Sequence, residues 1–136
     1  MTEAKMQTKF TRWLRDNWDD GAGAFELKVG KGNVVAFSCV PEHQILSLMR
    51  VRGIERLGLV EAMVHKLSDS AIGFLPFDCF AMVNCEAYLV LGFNGGKDVY
   101  MVDVVRVVEE MYLDGVRKRG SLGIEWAKEW GERIVL

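Results

Sequence analysis

Two side chains two positions apart, Glu26 and Lys28, carry the first chemistry legible in this sequence. They stand in the run Ala24-Phe25-Glu26-Leu27-Lys28-Val29, where apolar residues surround one acid and one base. Side chains on a strand alternate between faces, so Glu26 and Lys28 share one face and Leu27 anchors the other in a core. Their separation of roughly 6.6 Å along a strand lets both reach one phosphate. A carboxylate offers oxygen to a hard divalent cation, and a lysine stabilises charge or orients an attacking water; metal-dependent phosphodiester cleavage needs both. The same spacing also fits a solvated ion pair, which is common and nearly inert.

A second acid strengthens the chemical reading. Asp78 stands in the apolar run Phe77-Asp78-Cys79-Phe80, where an acid is costly unless it is paired or bound to a cation. A capping role at the start of a strand is the competing account. Glu3 falls at the start of the first helix, where the macrodipole favours an acid, and it also fits a metal-site carboxylate. Gln44, in the first turn of a later helix, can hydrogen-bond a metal-bound water or a phosphate, or simply face solvent. His65 reads as structural. Cys39, Cys79 and Cys85 are odd in number and lack CxxC spacing, which argues against structural zinc and for reduced, small apolar side chains.

The net charge is −2, so no global field draws the protein to nucleic acid and any such binding needs a local basic patch. Lys5, Lys9 and Arg12, with Arg15 nearby, supply one on the first helix. Lys31 at a turn tip and the run Arg117-Lys118-Arg119 supply others. At 136 residues the chain fits one domain able to bury a core without staples. No apolar run approaches the roughly 20 residues needed to span a bilayer, and the polar N-terminus lacks a signal-peptide core. A soluble, intracellular protein is expected.

The elements that must position these residues follow from periodicity. Residues 3–18 form an amphipathic helix with Met6, Phe10, Trp13 and Leu14 as its stripe. Gly30-Lys31-Gly32-Asn33 is a turn, and 34–37 a short extended piece. Ser38 and Pro41 mark a helix start, with Ile45, Leu48 and Met49 buried. Arg50, Arg52 and Arg56, among glycines at 53 and 58, read as loop or broken helix. Residues 63–67 have strand character. Strands at 77–83 and 86–93 are expected to pair as an antiparallel hairpin turning near Asn84, with 88–93 central and covered on both faces. After a turn at 94–98 and a strand at 99–102, Asp103 caps a helix to about residue 113. Ser121 caps a last helix whose Leu122, Trp126 and Trp130 line one side, a face suited to the core or to a dimer interface.

Four pieces in this order carry a likeness: Phe25-Glu26-Leu27-Lys28, Glu42-His43-Gln44, Lys66-Leu67-Ser68-Asp69 and Pro76-Phe77-Asp78-Cys79-Phe80. Together they resemble the PD-(D/E)XK nuclease superfamily, and within it the small Holliday junction resolvase-like proteins of phages and archaeal viruses, relatives of RecU-type and Hjc-type resolvases. The likeness runs from Phe10 to the Ser121 helix. It implies an α/β, restriction-endonuclease-like core, a central mixed β-sheet flanked by helices, as one domain over residues 1–136. It implies that Glu26 and Asp78 bind Mg²⁺, with Mn²⁺ able to substitute, that Glu3 is the first-helix acid, that Lys28 is the catalytic lysine and that Gln44 lies near the site. Lys66 and Asp69 would lie near the DNA or the metal.

The implied activity is Mg²⁺-dependent endonucleolytic cleavage of branched DNA such as four-way junctions, inside the host cell's cytoplasm. A two-fold homodimer would cut two strands symmetrically. Lys5, Lys9, Arg12, Lys31 and Arg117-Lys118-Arg119 would hold the DNA backbone without reading bases. Two departures from the family pattern stand out. The metal aspartate usually precedes Glu-x-Lys, whereas Asp78 follows it, and Leu75 occupies the place before Pro76 where a lysine is expected. The acidic balance and Leu75 also fit a DNA-binding or assembly protein on a decayed nuclease fold. An exonuclease or nicking enzyme is the third reading.

Overall fold

A computed structural model describes residues 2–18, 23–53, 64–65, 80–81 and 85–136. Helix α1 spans Glu3–Asn17, entered through Thr2, whose hydroxyl accepts from the Lys5 amide at 3.2 Å, so one of the free N-terminal donors is satisfied. Its stripe buries Met6 and Phe10 and packs Trp13 and Leu14 beside them. Strand β1 (Gly23–Val29) and the short β2 (Val34–Ala36) flank the turn at 30–33. Helix α2 (Glu42–Arg52) buries Ile45, Leu48, Met49 and Val51. It ends at Gly53, whose left-handed φ of 79° suits a residue without Cβ.

Short strands β3 (Val64–His65) and β4 (Phe80–Ala81) pair with each other antiparallel. Next come β5 (Glu86–Phe93), β6 (Asp98–Asp103) and helix α3 (Val104–Met111), which Asp103 caps by accepting from the Val105 amide at 2.8 Å. The chain closes with β7 (Tyr112–Leu113), β8 (Val116–Arg117), β9 (Ser121–Gly123), α4 (Ile124–Trp130) and β10 (Glu132–Ile134).

The main sheet has the order β1-β5-β6-β10. β1 runs parallel to β5, with Gly23 opposite Glu86 and Val29 opposite Gly92. β5–β6 and β6–β10 are antiparallel, which makes the sheet mixed. On one face Leu89, Leu91 and Val102 meet Ile45, Leu48 and Met49 of α2 and Val104, Val107 and Met111 of α3. On the other, Val90, Val99, Met101 and Ile134 meet Met6 and Phe10 of α1. Each such side chain contributes about 1.5–3 kcal/mol when fully buried. The expected α/β class, a mixed central sheet flanked by helices, is the observed one.

Five expectations need correction. The strand at 86–93 does not take its partner from the stretch just before it: β5 has β1 on one edge and β6 on the other, and Phe80–Ala81, the described part of 77–83, pairs with β3. Nearness in sequence suggested the hairpin, but a parallel partner sixty residues upstream leaves no such signal in the intervening chain. The helix capped by Asp103 ends at Met111, because Asp114 and Gly115, at φ of 51° and 79°, form the two-residue turn of a β7–β8 hairpin. Ser121 is not a cap. It lies in β9, paired with Ala36 of β2, and α4 begins after Gly123. Ser38 lies in a 3₁₀ turn, α2 starts at Glu42, and Arg50 and Arg52 are helical.

Candidate functional site

β1 is a terminal strand of the main sheet, and alternation along it separates two jobs. Phe25, Leu27 and Val29 pack against the α1 cluster. Glu26 and Lys28 take the other face, in register with Leu89 and Leu91 of β5. Ala24 joins them there, packed against the larger core. The sharing of one face by Glu26 and Lys28, with Leu27 as anchor, agrees with the alternation read from the sequence.

Lys28 is the one charged side chain that the fold buries among the described residues, 8% exposed. Its Nζ lies 3.5 Å from Glu26 Oε1 and 3.8 Å from Glu3 Oε1. α1 covers the opposite face, so Glu3 reaches the ammonium around the edge of β1. Both contacts are longer than the 2.7–2.9 Å of a charge-assisted hydrogen bond, so the attraction is Coulombic and leaves the carboxylate oxygens able to accept from other partners. A small cleft of about 120 Å³, lined by Glu3, Gln7, Phe25, Glu26 and Leu27, opens beside them.

Gln44 occupies the first turn of α2, which packs over β1 and β5 on the Glu26–Lys28 side. Its Oε1 is enclosed and accepts no hydrogen bond among the described residues. A buried acceptor left open costs about 1–3 kcal/mol, so a donor or cation there would relieve it. Asp78, Lys66 and Asp69 lie outside the described residues, as do Arg56, Leu75 and Cys79. The structure therefore brings together Glu3, Glu26 and Lys28, with Gln44 over the same sheet face.

These donors fit Mg²⁺ in kind, being carboxylate and amide oxygens. In number they are incomplete: among the described residues no group of three or more His, Cys, Asp or Glu side chains is placed to hold a metal ion.

The basic residues divide into three groups. Lys5, Lys9 and Arg12 are exposed on α1, and Lys31 is exposed at its turn. Lys118 and Arg119 are exposed beside a cleft of about 340 Å³ that Phe37 and Ser38 also line. Arg117 differs. It is half-buried in β8, and its guanidinium donates to the carbonyls of Phe37 and Val40, tying the hairpin to the approach of α2.

Sequence reasoning missed several contacts. Arg52 pairs with Asp103 at 3.3 Å, joining the end of α2 to the cap of α3. Tyr88 Oη donates to Glu86 Oε1 at 2.7 Å, and burial, reinforced by that carboxylate, pushes the hydroxyl pKa far above its usual range. Burial also raises Tyr112. Neither pair follows a helical or strand motif that would flag it, although Glu86 and Tyr88 share a strand face. Trp130, expected with Trp126 on a face suited to the core or to a dimer interface, is 43% exposed, with the Arg106 guanidinium 4.3 Å over its ring. Trp126 packs against the core. Of the described cysteines, Cys85 packs against the core while Cys39 is exposed, not an apolar filler.

No helix among the described residues is long and apolar enough to cross a membrane. No family model, no curated protein and no solved structure matches this chain.

Proposed function

We propose that this protein is a Mg²⁺-dependent endonuclease of the PD-(D/E)XK type that cleaves branched DNA. The observation that carries the reading is Lys28: an ammonium 8% exposed on a terminal strand, between two carboxylates and beside a cleft. Packing alone would favour an apolar residue there, since burying a charge is expensive even when it is paired. The four sequence pieces quoted above supply the rest of the support, and the fold class agrees with them.

In this reading Glu26, Asp78 and Glu3 hold the cation and Gln44 offers its amide oxygen. When bound, the cation lowers the pKa of a coordinated water and offsets charge on the phosphate. Lys28 sits against the same phosphate, its Nζ flanked by Glu26 and Glu3 so that it need not be reordered during reaction. Lys5, Lys9, Arg12, Lys31, Lys118 and Arg119 position the DNA backbone, with Lys66 and Asp69 close to it. Arg117, engaged with two backbone carbonyls, fixes the loop that presents its neighbours. A homodimer supplies the second cut.

A specific observation favours a second reading. Glu26 and Glu3 already counter Lys28, as a purely structural buried cluster would, and a decayed nuclease fold that binds DNA without cutting it would look the same. Incubating a labelled four-way junction with Mg²⁺, Mn²⁺ or EDTA separates them. The nuclease reading expects metal-dependent cleavage, lost in Glu26→Gln, Asp78→Asn and Lys28→Met while junction binding persists. Binding without cleavage in either metal would establish the second reading. Undiminished cutting by Glu26→Gln would remove that residue from the site.

A further inference from the structure

We propose that the cleft between α1 and the C-terminal strand β10 is a phosphate-binding subsite for the DNA backbone, with Lys97 and Arg133 as its principal contacts. The identity of the polyanion rests on the nuclease reading above; the site itself rests on charge and shape. The cleft measures about 420 Å³ and is lined by Lys9, Lys97 and Arg133, with Gly95 and Gly96 in its wall. A second cleft of about 270 Å³ shares Lys9 with it and adds Arg12 and Asp16. A chain of net charge −2 thus gathers Lys9, Arg12, Lys97 and Arg133 around two adjoining clefts, which share Lys9, Val135 and Leu136 and have one acidic side chain, Asp16, in their lining.

The cations are available for a ligand. Lys9, Arg12 and Lys97 make no ion pair among the described residues. Arg133 touches Asp98 at 3.5 Å, while Asn94 satisfies the other oxygen of that carboxylate at 2.8 Å. One long contact orients the guanidinium and leaves most of its five donors uncommitted. Gly95 and Gly96, at φ of 71° and 92°, form the tight turn beside Lys97 and bring no side chain into the larger cleft. A phosphodiester can approach that backbone closely.

The two clefts also sit well relative to the carboxylate–lysine cluster. On α1, Glu3 and Gln7 flank the buried stripe on the β1 side, and Lys9 and Arg12 flank it on the β10 side. The two flanks are roughly a helix diameter apart, about 10–12 Å. A duplex presenting one phosphate charge per about 1.7 Å of axis can bridge that distance. DNA engaged at Lys28 would straddle α1 and rest its backbone on Lys97 and Arg133.

The test is anisotropy of a labelled four-way junction in EDTA, which blocks cleavage, titrated between about 50 and 200 mM salt. The unmodified protein is compared with Lys97→Ala/Arg133→Ala, whose exposed positions leave the melting curve as a check on folding. Each lost phosphate contact should flatten the slope of log K against log salt by about 0.9, so about 1.8 for the pair. Kd should rise roughly tenfold per contact near 0.1 M salt, equally on unrelated duplex sequences. An unchanged slope and Kd would overturn the subsite while leaving the nuclease reading intact. Binding weakened as expected, with no cleavage by the unmodified protein in Mg²⁺ or Mn²⁺, would keep the subsite and overturn the nuclease reading. Absence of salt-dependent DNA binding by the unmodified protein would overturn both.

Discussion

Replacing Lys28 with methionine should leave the protein about as stable as before, whereas removing the two carboxylates around it should not. The gross attraction at an effective dielectric of 20 is roughly 4.7 kcal/mol for the 3.5 Å contact with Glu26 and roughly 4.4 kcal/mol for the 3.8 Å contact with Glu3. Exposure separates the two. The Glu3 side chain is 51% exposed and Glu26 30%, so water screens the first pair towards the surface value, under about 1 kcal/mol. For Glu26→Gln we expect about 1–2 kcal/mol, since its partner is nearly buried and part of the screening is gone.

The double variant Glu3→Gln/Glu26→Gln strands an ammonium inside the fold and should cost about 3–5 kcal/mol, more than the sum of the singles. Methionine at position 28 keeps the length and apolar volume and removes the charge. It leaves two carboxylates that water can reach, so the change should stay within about 1 kcal/mol. Urea denaturation measures all four variants, and each kcal/mol corresponds to a shift in Tm of about 3–5 °C for a chain of this size. If Lys28→Met costs as much as the double carboxylate variant, the lysine is there for packing and the electrostatic account is wrong. Glu3→Gln costing more than Glu26→Gln would equally refute it.

Three further outcomes are expected. Gly92→Ala should cost about 1–3 kcal/mol, because a Cβ there would meet the Met6 sulfur at 2.6 Å and Gly96 Cα at 3.2 Å; pairing it with Met6→Ala in denaturation curves should show less than additive loss. Tyr88 has a folded-state pKa raised above its ordinary 10.0, so its stabilisation is complete below pH 10 and fades as pH climbs past that value. Stability measured from pH 9 to 12 should fall less steeply in Tyr88→Phe, which gives up about 1 kcal/mol at neutral pH with the bond to Glu86. At a hundredfold excess over Kd, Mg²⁺ should raise folded-state stability by about 2.7 kcal/mol; an equal shift in the urea midpoint of Glu26→Gln would exclude Glu26 as a ligand.

What was legible in the sequence was whatever local periodicity controls. The stripe of Met6 and Phe10, the Asp103 cap and the doubly covered β5 all follow from patterns within one element. The alternation that sets Glu26 and Lys28 apart from Leu27 was legible for the same reason. Partners distant in sequence were not. β1 lies beside β5 in parallel, and β2 beside β9, and neither pairing leaves a trace in the residues between. The β7–β8 turn was a different kind of miss, since Asp114-Gly115 is a strong hairpin signal that the long valine-rich helical pattern before it concealed. Glu3 could be named as an acid at a helix start, but its approach to Lys28 depends on where α1 crosses the sheet, which no local pattern fixes.

The burial of Lys28 bears on function because folding gives no reason for it. β1 already has its anchors in Phe25, Leu27 and Val29 on the α1 side, and in Ala24 on the other. A leucine or methionine at position 28 would extend the apolar row formed with Leu89 and Leu91 and would need no counter-charge. The chain instead carries an ammonium there, with two acids within 4 Å of it, Glu26 at 3.5 Å and Glu3 at 3.8 Å. A buried charge whose two compensating carboxylates line a cleft is an arrangement that serves chemistry in many active sites, and structural networks produce it too. Stability and activity distinguish the two cases in a single variant. A Lys28→Met protein that folds as well as its parent and binds a junction, yet no longer cuts it, assigns the charge to the reaction; one that unfolds assigns it to the fold.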